Sequence, residues 1–132
     1  MKVAFATQDK QRVDAHFGWA PHIAVYDIDR LGYRYVETFD FAAEDEDGNE
    51  DKLTGKLAAL DDVAIVYVAA IGGSAAARVV AKKVHPVKLP TAEPILDVLD
   101  RLQTVLAGTP PPWLRKALMR DMPQPDFDDE TI

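Results

Sequence analysis

Short apolar runs separated by polar turns open the chain and predict three strands in succession. Residues 3–7 are almost purely apolar, which is typical of a strand buried on both faces. Residues 22–29 predict a strand with Ile23 and Val25 on one side and Ala24, Tyr26 and Ile28 on the other, and residues 33–41 carry aromatic residues in period two. The segment 29–32 between them ends in a glycine that allows a tight turn. The first third of the chain is therefore predicted to form a β-meander.

The remainder of the chain alternates helical and extended patterns. Leu53, Leu57 and Leu60 recur at helical spacing, and the most hydrophobic run, residues 63–71, predicts the central strand. Four elements follow: a helix over 75–83, an edge strand over 84–90, a helix over 92–107 capped by Thr91, and a short helix over 113–118. This order predicts an α/β fold, a mixed sheet of about five strands flanked by helices, in which a β-meander precedes βαβαβα.

Size and composition fit one globular domain. The chain has 132 residues, of which 48% are hydrophobic and 28% charged, and we expect one domain over 1–120 and a disordered acidic tail over 121–132. No apolar run has the length of a membrane span, and the first residues pass directly into a strand pattern without the layout of a signal peptide. The absence of cysteine excludes disulfides and thiolate chemistry, so we expect a cytoplasmic protein.

The net charge of −7 comes from two acidic segments. Residues 40–51 hold seven acids and residues 121–132 hold five, and neither segment contains a lysine or arginine. The remaining ten acids face 15 basic residues, which leaves a mildly basic body. Such a body attracts a small anion, whereas the protein as a whole repels nucleic acid.

The connection between the first two strands, residues 13–21, carries more chemistry than a turn requires. It contains His16, Phe17 and Gly18, followed by Trp19. Neutral imidazole is a common metal ligand, and the aromatic rings would form walls beside it. A lone surface histidine next to aromatic residues that close the core is the structural alternative, and the motif alone leaves it open.

A second feature follows the central strand, which runs through Gly72, Gly73 and Ser74 into a helix. A helix start leaves unpaired backbone N–H groups and the positive end of the helix dipole, and both favour an anion. Glycines let that anion approach the backbone closely. A tight turn that binds nothing is equally compatible, because no recognised nucleotide-binding glycine pattern is present.

The two features meet if the strands before them are parallel neighbours, because ligands of α/β sheets bind beyond the carboxyl ends of parallel strands. The site would then combine His16, its aromatic neighbours and the glycine turn. Arg12 and Arg78 would supply positive charge, and His85 is a candidate second imidazole.

Catalytic alternatives find less support. Ser74 is the only serine, and it is better explained as a helix-start residue than as a nucleophile. His22 is assigned to the fold, and three scattered histidines without cysteine do not form a structural zinc site. A hydrolase using Asp27 and Asp29 with a divalent metal is the remaining enzymatic alternative. We therefore favour binding, without catalysis, of an anionic species whose metal is open to one nitrogen donor.

Several ordered motifs resemble the dinitrogenase iron–molybdenum cofactor biosynthesis family. They are segments 3–7, 14–18, 70–77, 85–88 and 110–118, so the resemblance covers about residues 1–120. It implies a ribonuclease-H-like fold without nuclease activity, and a non-enzymatic carrier of the iron–molybdenum cofactor or its iron–sulfur precursor. The histidine of the family's His-Phe-Gly motif falls on His16, which is expected to ligate the cluster. Ser74 stands where the family pattern has proline, which loosens that turn.

The resemblance also implies partners. The carrier would exchange its cluster with the scaffold and maturation proteins of nitrogenase assembly. We expect no nucleic-acid or membrane partner, and a monomer or weak dimer. A small-molecule or regulatory binding module on the same fold, without a metallocluster, is the alternative function.

Overall fold

The computed structural model describes residues 1–41 and 51–120. The predicted tail and most of the acidic segment 40–51 lie outside the described residues, so the expectations about them stay predictions. Among the described residues, no helix is long and apolar enough to cross a membrane.

Eleven helices and strands make up the described part of the chain. The strands are β1 (Lys2–Thr7), β2 (Arg12–Val13), β3 (His22–Ile28), β4 (Tyr33–Asp40), β5 (Val63–Val68), β6 (His85–Lys88) and β7 (Glu93–Pro94). The helices are α1 (Asp51–Ala58), α2 (Gly73–Ala81), α3 (Ile95–Ala107) and α4 (Pro112–Arg120). A 3-10 turn, Phe17–Trp19, lies between β2 and β3.

Five strands form one mixed sheet in the order β4-β3-β1-β5-β6. β3 and β4 are antiparallel to their neighbours, whereas β1, β5 and β6 run parallel. The predicted fold class, a β-meander followed by parallel crossovers, is therefore confirmed. The parallel pairing of β1 with β5 brings the carboxyl ends of both strands to one edge of the sheet, which we call the rim.

Helices cover both faces of the sheet. α1 and α2 pack on one face around residues such as Ala4, Ala6 and Val66, and α3 and α4 pack on the other around Phe5. The Phe5 ring stacks on Tyr67 with centroids 5.2 Å apart. Since β1 contributes buried side chains to both faces, its almost purely apolar sequence is explained.

The structure corrects the predicted start of α3. Thr91 does not cap the helix, which begins at Ile95, and no side chain caps its first turn. The preceding pair Glu93–Pro94 instead forms β7, which pairs with β2 in a two-residue ladder, and the Ile95 N–H donates to the Gln11 carbonyl at 2.8 Å. This ladder ties the segment before residues 15–19, which contain His16 and which we call the histidine turn, to the start of α3.

The central strand and the first helix are also shorter than predicted. β5 ends at Val68 rather than at residue 71, and α1 ends at Ala58, before Leu60. Leu60 is still fully buried, so its apolar character reflects the core and not the helix. The residues after Val68 leave the regular sheet because they pair with the histidine turn.

Candidate functional site

Backbone hydrogen bonds join the histidine turn to the chain beyond β5. The Ala69 N–H donates to the Ala15 carbonyl at 2.9 Å, and the Phe17 N–H donates to the Ala70 carbonyl at 2.8 Å. His16 and Ala70 form a parallel bridge between these two bonds. His16 therefore lies at the rim beside Ala70, and Gly72 follows Ala70 two residues further along the chain.

The histidine turn continues the line of β1 along the sheet. The Val68 carbonyl accepts the Leu89 N–H at 2.9 Å and so faces β6. Successive residues of a strand present their backbone groups to opposite sides, so Ala69 faces the β1 side, where it meets Ala15. The chain leaves β1 at Thr7, passes through β2, and returns to the place that a longer β1 would occupy.

Phe17 anchors the 3-10 turn. Its side chain is fully buried in the core under α1 and α2, and Gly18 behind it is buried as well. The Trp19 N–H donates to the His16 carbonyl at 3.0 Å, which closes the turn. Because the buried Phe17 ring anchors the turn, the half-buried His16 ring is held at the rim and not in the core.

The hydrogen bond of His16 fixes the position of its ring proton. The Gly18 N–H donates to Nδ1 of His16 at 3.0 Å. A backbone N–H can only donate, so Nδ1 carries a lone pair and the neutral ring holds its hydrogen at Nε2. A metal at Nε2 requires that hydrogen to move to Nδ1, where it would face the Gly18 N–H. His16 can therefore ligate a metal only by giving up its bond to Gly18.

The start of α2 lies open beside this turn. Gly72 is extended, with φ −73° and ψ 157°, and no side chain caps the helix. Gly72 and Gly73 are both exposed, and a Cβ added to either would meet nothing within 4 Å. Neither backbone strain nor packing requires glycine at these two positions. The glycines leave the N–H groups of the first turn accessible to a bulky ligand.

Asp9 organises the turn that presents Arg12. Its carboxylate accepts the N–H groups of Gln11 (2.8 Å) and Arg12 (2.9 Å) and the Nε–H of Arg12 (3.0 Å). The buried Thr7 hydroxyl donates to Asp9 and accepts the N–H of Lys10 at 2.9 Å. Asp9 was not predicted from the sequence, although an aspartate two residues before a turn amide is a typical signal of such a turn.

Asp14 closes the other end of the same loop. Its carboxylate accepts the Gln8 N–H at 2.7 Å, and its carbonyl accepts the Gln8 side-chain amide at 2.7 Å. These two bonds join the residue after β1 to the residue two positions before His16. The loop from β1 to the histidine turn is thus internally braced at both ends.

Titration of Asp9 tests how firmly this turn is held. The N–H groups of Gln11 and then Arg12 lower the pKa of Asp9 from 3.8 to about 2. Because the pKa of Asp9 in the folded protein lies below its value in the unfolded chain, the ionised carboxylate stabilises the turn fully above about pH 4. This stabilisation is lost as the pH falls towards 2. We expect the amide resonances of Gln11 and Arg12 to shift with that midpoint, and the shift to disappear in Asp9→Asn. A midpoint near 3.8 in the parent would show that the turn is not ordered in solution.

The remaining predicted site residues lie at different places. Arg12 is at the rim, where its side chain is 55% exposed. Arg78 is exposed, but it belongs to the last turn of α2, away from the helix start. His85 begins β6 level with Ile65, at the opposite end of that strand from the rim, and its ring packs on Trp113 with centroids 4.3 Å apart. The structure does not bring His85 to His16, because His85 starts a parallel strand instead of ending one.

Asp27 and Asp29, the acids of the enzymatic alternative, lie at the end of the sheet opposite the rim. Asp27 pairs with Arg34 at 3.3 Å, and Asp29 accepts the N–H groups of Leu31 and Gly32. A cavity of about 950 Å³ opens beside them, and none of the predicted cofactor-binding residues lines it. No group of three or more metal-ligating side chains occurs in the described ranges. Structural contacts therefore account for both carboxylates.

Comparison with protein families agrees with this architecture. The model of the family described as dinitrogenase iron-molybdenum cofactor matches residues 1–105, which include the rim, the whole five-stranded sheet and most of α3. The chain belongs to the dinitrogenase iron-molybdenum cofactor family. This confirms the resemblance seen in the sequence motifs.

Relatives named NifX share most of their length with this member of the dinitrogenase iron-molybdenum cofactor family. Protein NifX of Herbaspirillum seropedicae is 61% identical over 121 residues, 91% of this chain and 83% of the relative. Protein NifX of Azotobacter vinelandii is 37% identical, covering 91% of this chain and 76% of the relative. The crystal structure of PH0822 matches with a TM-score of 0.63 at 22% identity, over 79% of this chain and 89% of that one, and supports the fold alone.

Proposed function

We propose that this protein is a non-enzymatic carrier in the biosynthesis of the iron–molybdenum cofactor of nitrogenase. The cargo would be the cofactor or its iron–sulfur precursor, exchanged with scaffold and maturation proteins. Membership of the cofactor family supports a role in this biosynthesis. So does a segment 39% identical over 72 residues to the FeMo cofactor biosynthesis protein NifB of Rhodobacter capsulatus, which spans 16% of that relative.

The backbone pairing of His16 with Ala70 is the observation that carries this proposal. It brings an imidazole to the same rim as the uncapped start of α2. A bare structural metal ion needs about four protein ligands, whereas a preassembled cluster brings most of its own and needs only one or two. The α2 amides and the Arg12 guanidinium would then hold the anionic part of the cargo.

Binding through His16 would be reversible because the ring exchanges one bond for another. Ligation by Nε2 costs the hydrogen bond from Gly18, and a bond of this kind contributes about 0.5–1.5 kcal/mol. Release of the cargo restores it. A carrier benefits from this arrangement, since the protein site holds the cluster without retaining it permanently.

Anaerobic loading tests the proposal directly. The protein is mixed with isolated iron–molybdenum cofactor, separated by gel filtration, and analysed for iron and molybdenum per chain. We expect the metals to elute with the protein. The alternative of a small-molecule module without a metallocluster predicts no metal uptake, and that result would refute the carrier function.

Substitution of Gly72 separates a binding role from a folding role. Gly72 has an ordinary φ and open space for a Cβ, which favours alanine, but it is the N-cap of α2, where alanine is disfavoured, so Gly72→Ala should change the stability by less than about 1 kcal/mol. The added methyl group would stand between the cargo and the α2 amides. Hydrogen bonds to a charged group are worth about 1.5–3 kcal/mol, so we expect the affinity for the cofactor to fall about 10-fold or more.

Gly32→Ala is the matched control for this variant. Gly32 also has nothing within 4 Å of an added Cβ, but it lies in the turn between β3 and β4, at the end of the sheet opposite the rim. We expect the control to bind the cofactor like the parent. Equal affinities in Gly72→Ala and Gly32→Ala would remove the α2 start from the site.

A further inference from the structure

His22, which the sequence assigns to the fold, lies at the rim. It opens β3 and pairs with Thr7, the last residue of β1. On its other side it pairs with Asp40, the last residue of β4. Because β3 is antiparallel to β1, its first residue reaches the edge at which β1 ends.

His16 and His22 are neighbours along this edge. The histidine turn continues the line of β1, and β3 is the strand next to β1. Adjacent strands are about 4.8 Å apart and residues advance about 3.3 Å along a strand, so this register puts the two Cα atoms within roughly 10 Å. The 3-10 turn, Phe17–Trp19, lies between them in the chain. A cluster larger than a single ion can contact both.

The hydrogen bond of His22 leaves its ring in the opposite tautomer to that of His16. Nδ1 of His22 lies 2.6 Å from Oδ1 of Asp40. An ionised carboxylate only accepts, so Nδ1 carries the hydrogen and the neutral ring has its lone pair at Nε2. The His22 side chain is 24% exposed. Imidazoles that ligate metals commonly donate their other ring N–H to a carboxylate in this way.

We propose that His22, oriented by Asp40, is a second nitrogen donor to the metallocluster carried at the rim. This inference rests on the proposed carrier function. His16 must release Gly18 before it can ligate through Nε2, whereas Nε2 of His22 needs no rearrangement of its hydrogen bond. The described residues contain no group of three ligating side chains, so the pair suits a cargo that supplies its own remaining ligands. Asp40 is a positioning residue and does not touch the cargo.

Affinity for isolated iron–molybdenum cofactor, measured anaerobically, tests this role. We expect His22→Gln to weaken binding at least about 10-fold, and Asp40→Ala to weaken it about 10-fold, since loss of a ligand's outer partner costs about 10- to 100-fold. His85→Gln is the matched control, because His85 is also an exposed imidazole of the sheet but lies at the far end of β6. We expect it to bind like the parent.

Pulsed electron paramagnetic resonance on the loaded parent provides a second measurement that does not depend on a variant. The protein carries ¹⁵N-histidine and the cofactor is in a paramagnetic state. We expect two inequivalent imidazole nitrogen couplings in the parent and one in His22→Gln. In Asp40→Ala we expect the second coupling to change while the first stays, which a purely structural role of Asp40 would not produce.

The outcomes separate this inference from the function on which it rests. Parent-like affinity of His22→Gln together with a single nitrogen coupling in the parent would overturn the role of His22 and leave the carrier function intact. If the parent takes up no metal, both fail. If His22→Gln does not fold, the number of imidazole nitrogen couplings in the parent decides. Two couplings support the role of His22, and a single coupling contradicts it.

Discussion

Replacing His16 by alanine should abolish most cargo binding while leaving the protein folded. Removal of a residue that hydrogen-bonds to a metal ligand already lowers the metal affinity about 10- to 100-fold, so loss of the ligand itself should lower it about 100-fold or more. The fold loses only the bond from Gly18 to Nδ1, which acts as a cap of the 3-10 turn and is worth about 1 kcal/mol. Affinity for isolated iron–molybdenum cofactor and chemical denaturation measure the two effects separately.

His85→Ala makes the same chemical change at a place where no cargo is expected. Its ring packs on Trp113, so we expect a stability loss of about 0.5–1.5 kcal/mol and unchanged affinity. Parent-like affinity of His16→Ala would contradict the ligand assignment. A similar loss in both variants would show that the effect is not specific to the rim.

Replacing Phe17 by alanine should have the largest effect on stability among the site residues. Phe17 is fully buried between the histidine turn and the core under α1 and α2, and truncation of such a side chain costs about 3–5 kcal/mol. Small domains are stable by about 5–15 kcal/mol, so this variant would lose a large part of the total. The turn would also lose its anchor, and we expect cofactor affinity to fall even under conditions where the protein stays folded.

Denaturant titration of Phe17→Ala and Leu31→Ala checks this expectation. Leu31 is 93% exposed, so its truncation should change the free energy of unfolding by less than about 0.5 kcal/mol. A loss below about 1 kcal/mol in Phe17→Ala would mean that the turn is not anchored by its aromatic ring. Parent-like cofactor affinity in the folded variant would show that the ring position does not depend on this anchor.

The strong hydrophobic patterns were sufficient to predict the sheet. β1 and β5 are buried on both faces and form continuous apolar runs, β3 is buried at three consecutive residues, and β4 alternates between half-buried and exposed positions over much of its length. All four strands were found close to the predicted positions. The order of elements predicted parallel crossovers but left open whether β1 and β5 are neighbours, and the structure shows that they pair in parallel, so that their ends meet. Local sequence was enough for β1 and β5 because every position of these two strands except Lys2 is buried, which favours apolar residues.

The two-residue ladder between β2 and β7 could not be predicted. Two residues have no periodicity, and Arg12–Val13 and Glu93–Pro94 are about eighty positions apart. Tertiary pairing of Glu93–Pro94 also explains why the helix starts at Ile95 although Thr91 is a good cap residue. A local helix signal was overridden by a contact that exists only in the folded chain.

The placement of single polar residues was the least predictable part of the site. His85 and His22 both begin strands, but His85 begins a parallel strand and lies far from the rim, whereas His22 begins an antiparallel strand and lies on it. Strand direction decides this difference, and no local property of a histidine reveals it. The role of Asp9 depends in the same way on the path of the backbone around it.

The bond between Gly18 and His16 has a consequence for exchange with other proteins. In the proposed carrier, an imidazole that regains a hydrogen bond worth about 1 kcal/mol on releasing the cluster would shift the equilibrium of transfer about fivefold towards the acceptor protein. A ligand of the acceptor protein would then compete with a metal–nitrogen bond of reduced net strength, because breaking that bond restores the hydrogen bond from Gly18 to His16. On the His16 side of the proposed site, delivery would require only the rotation of this side chain back onto its own turn.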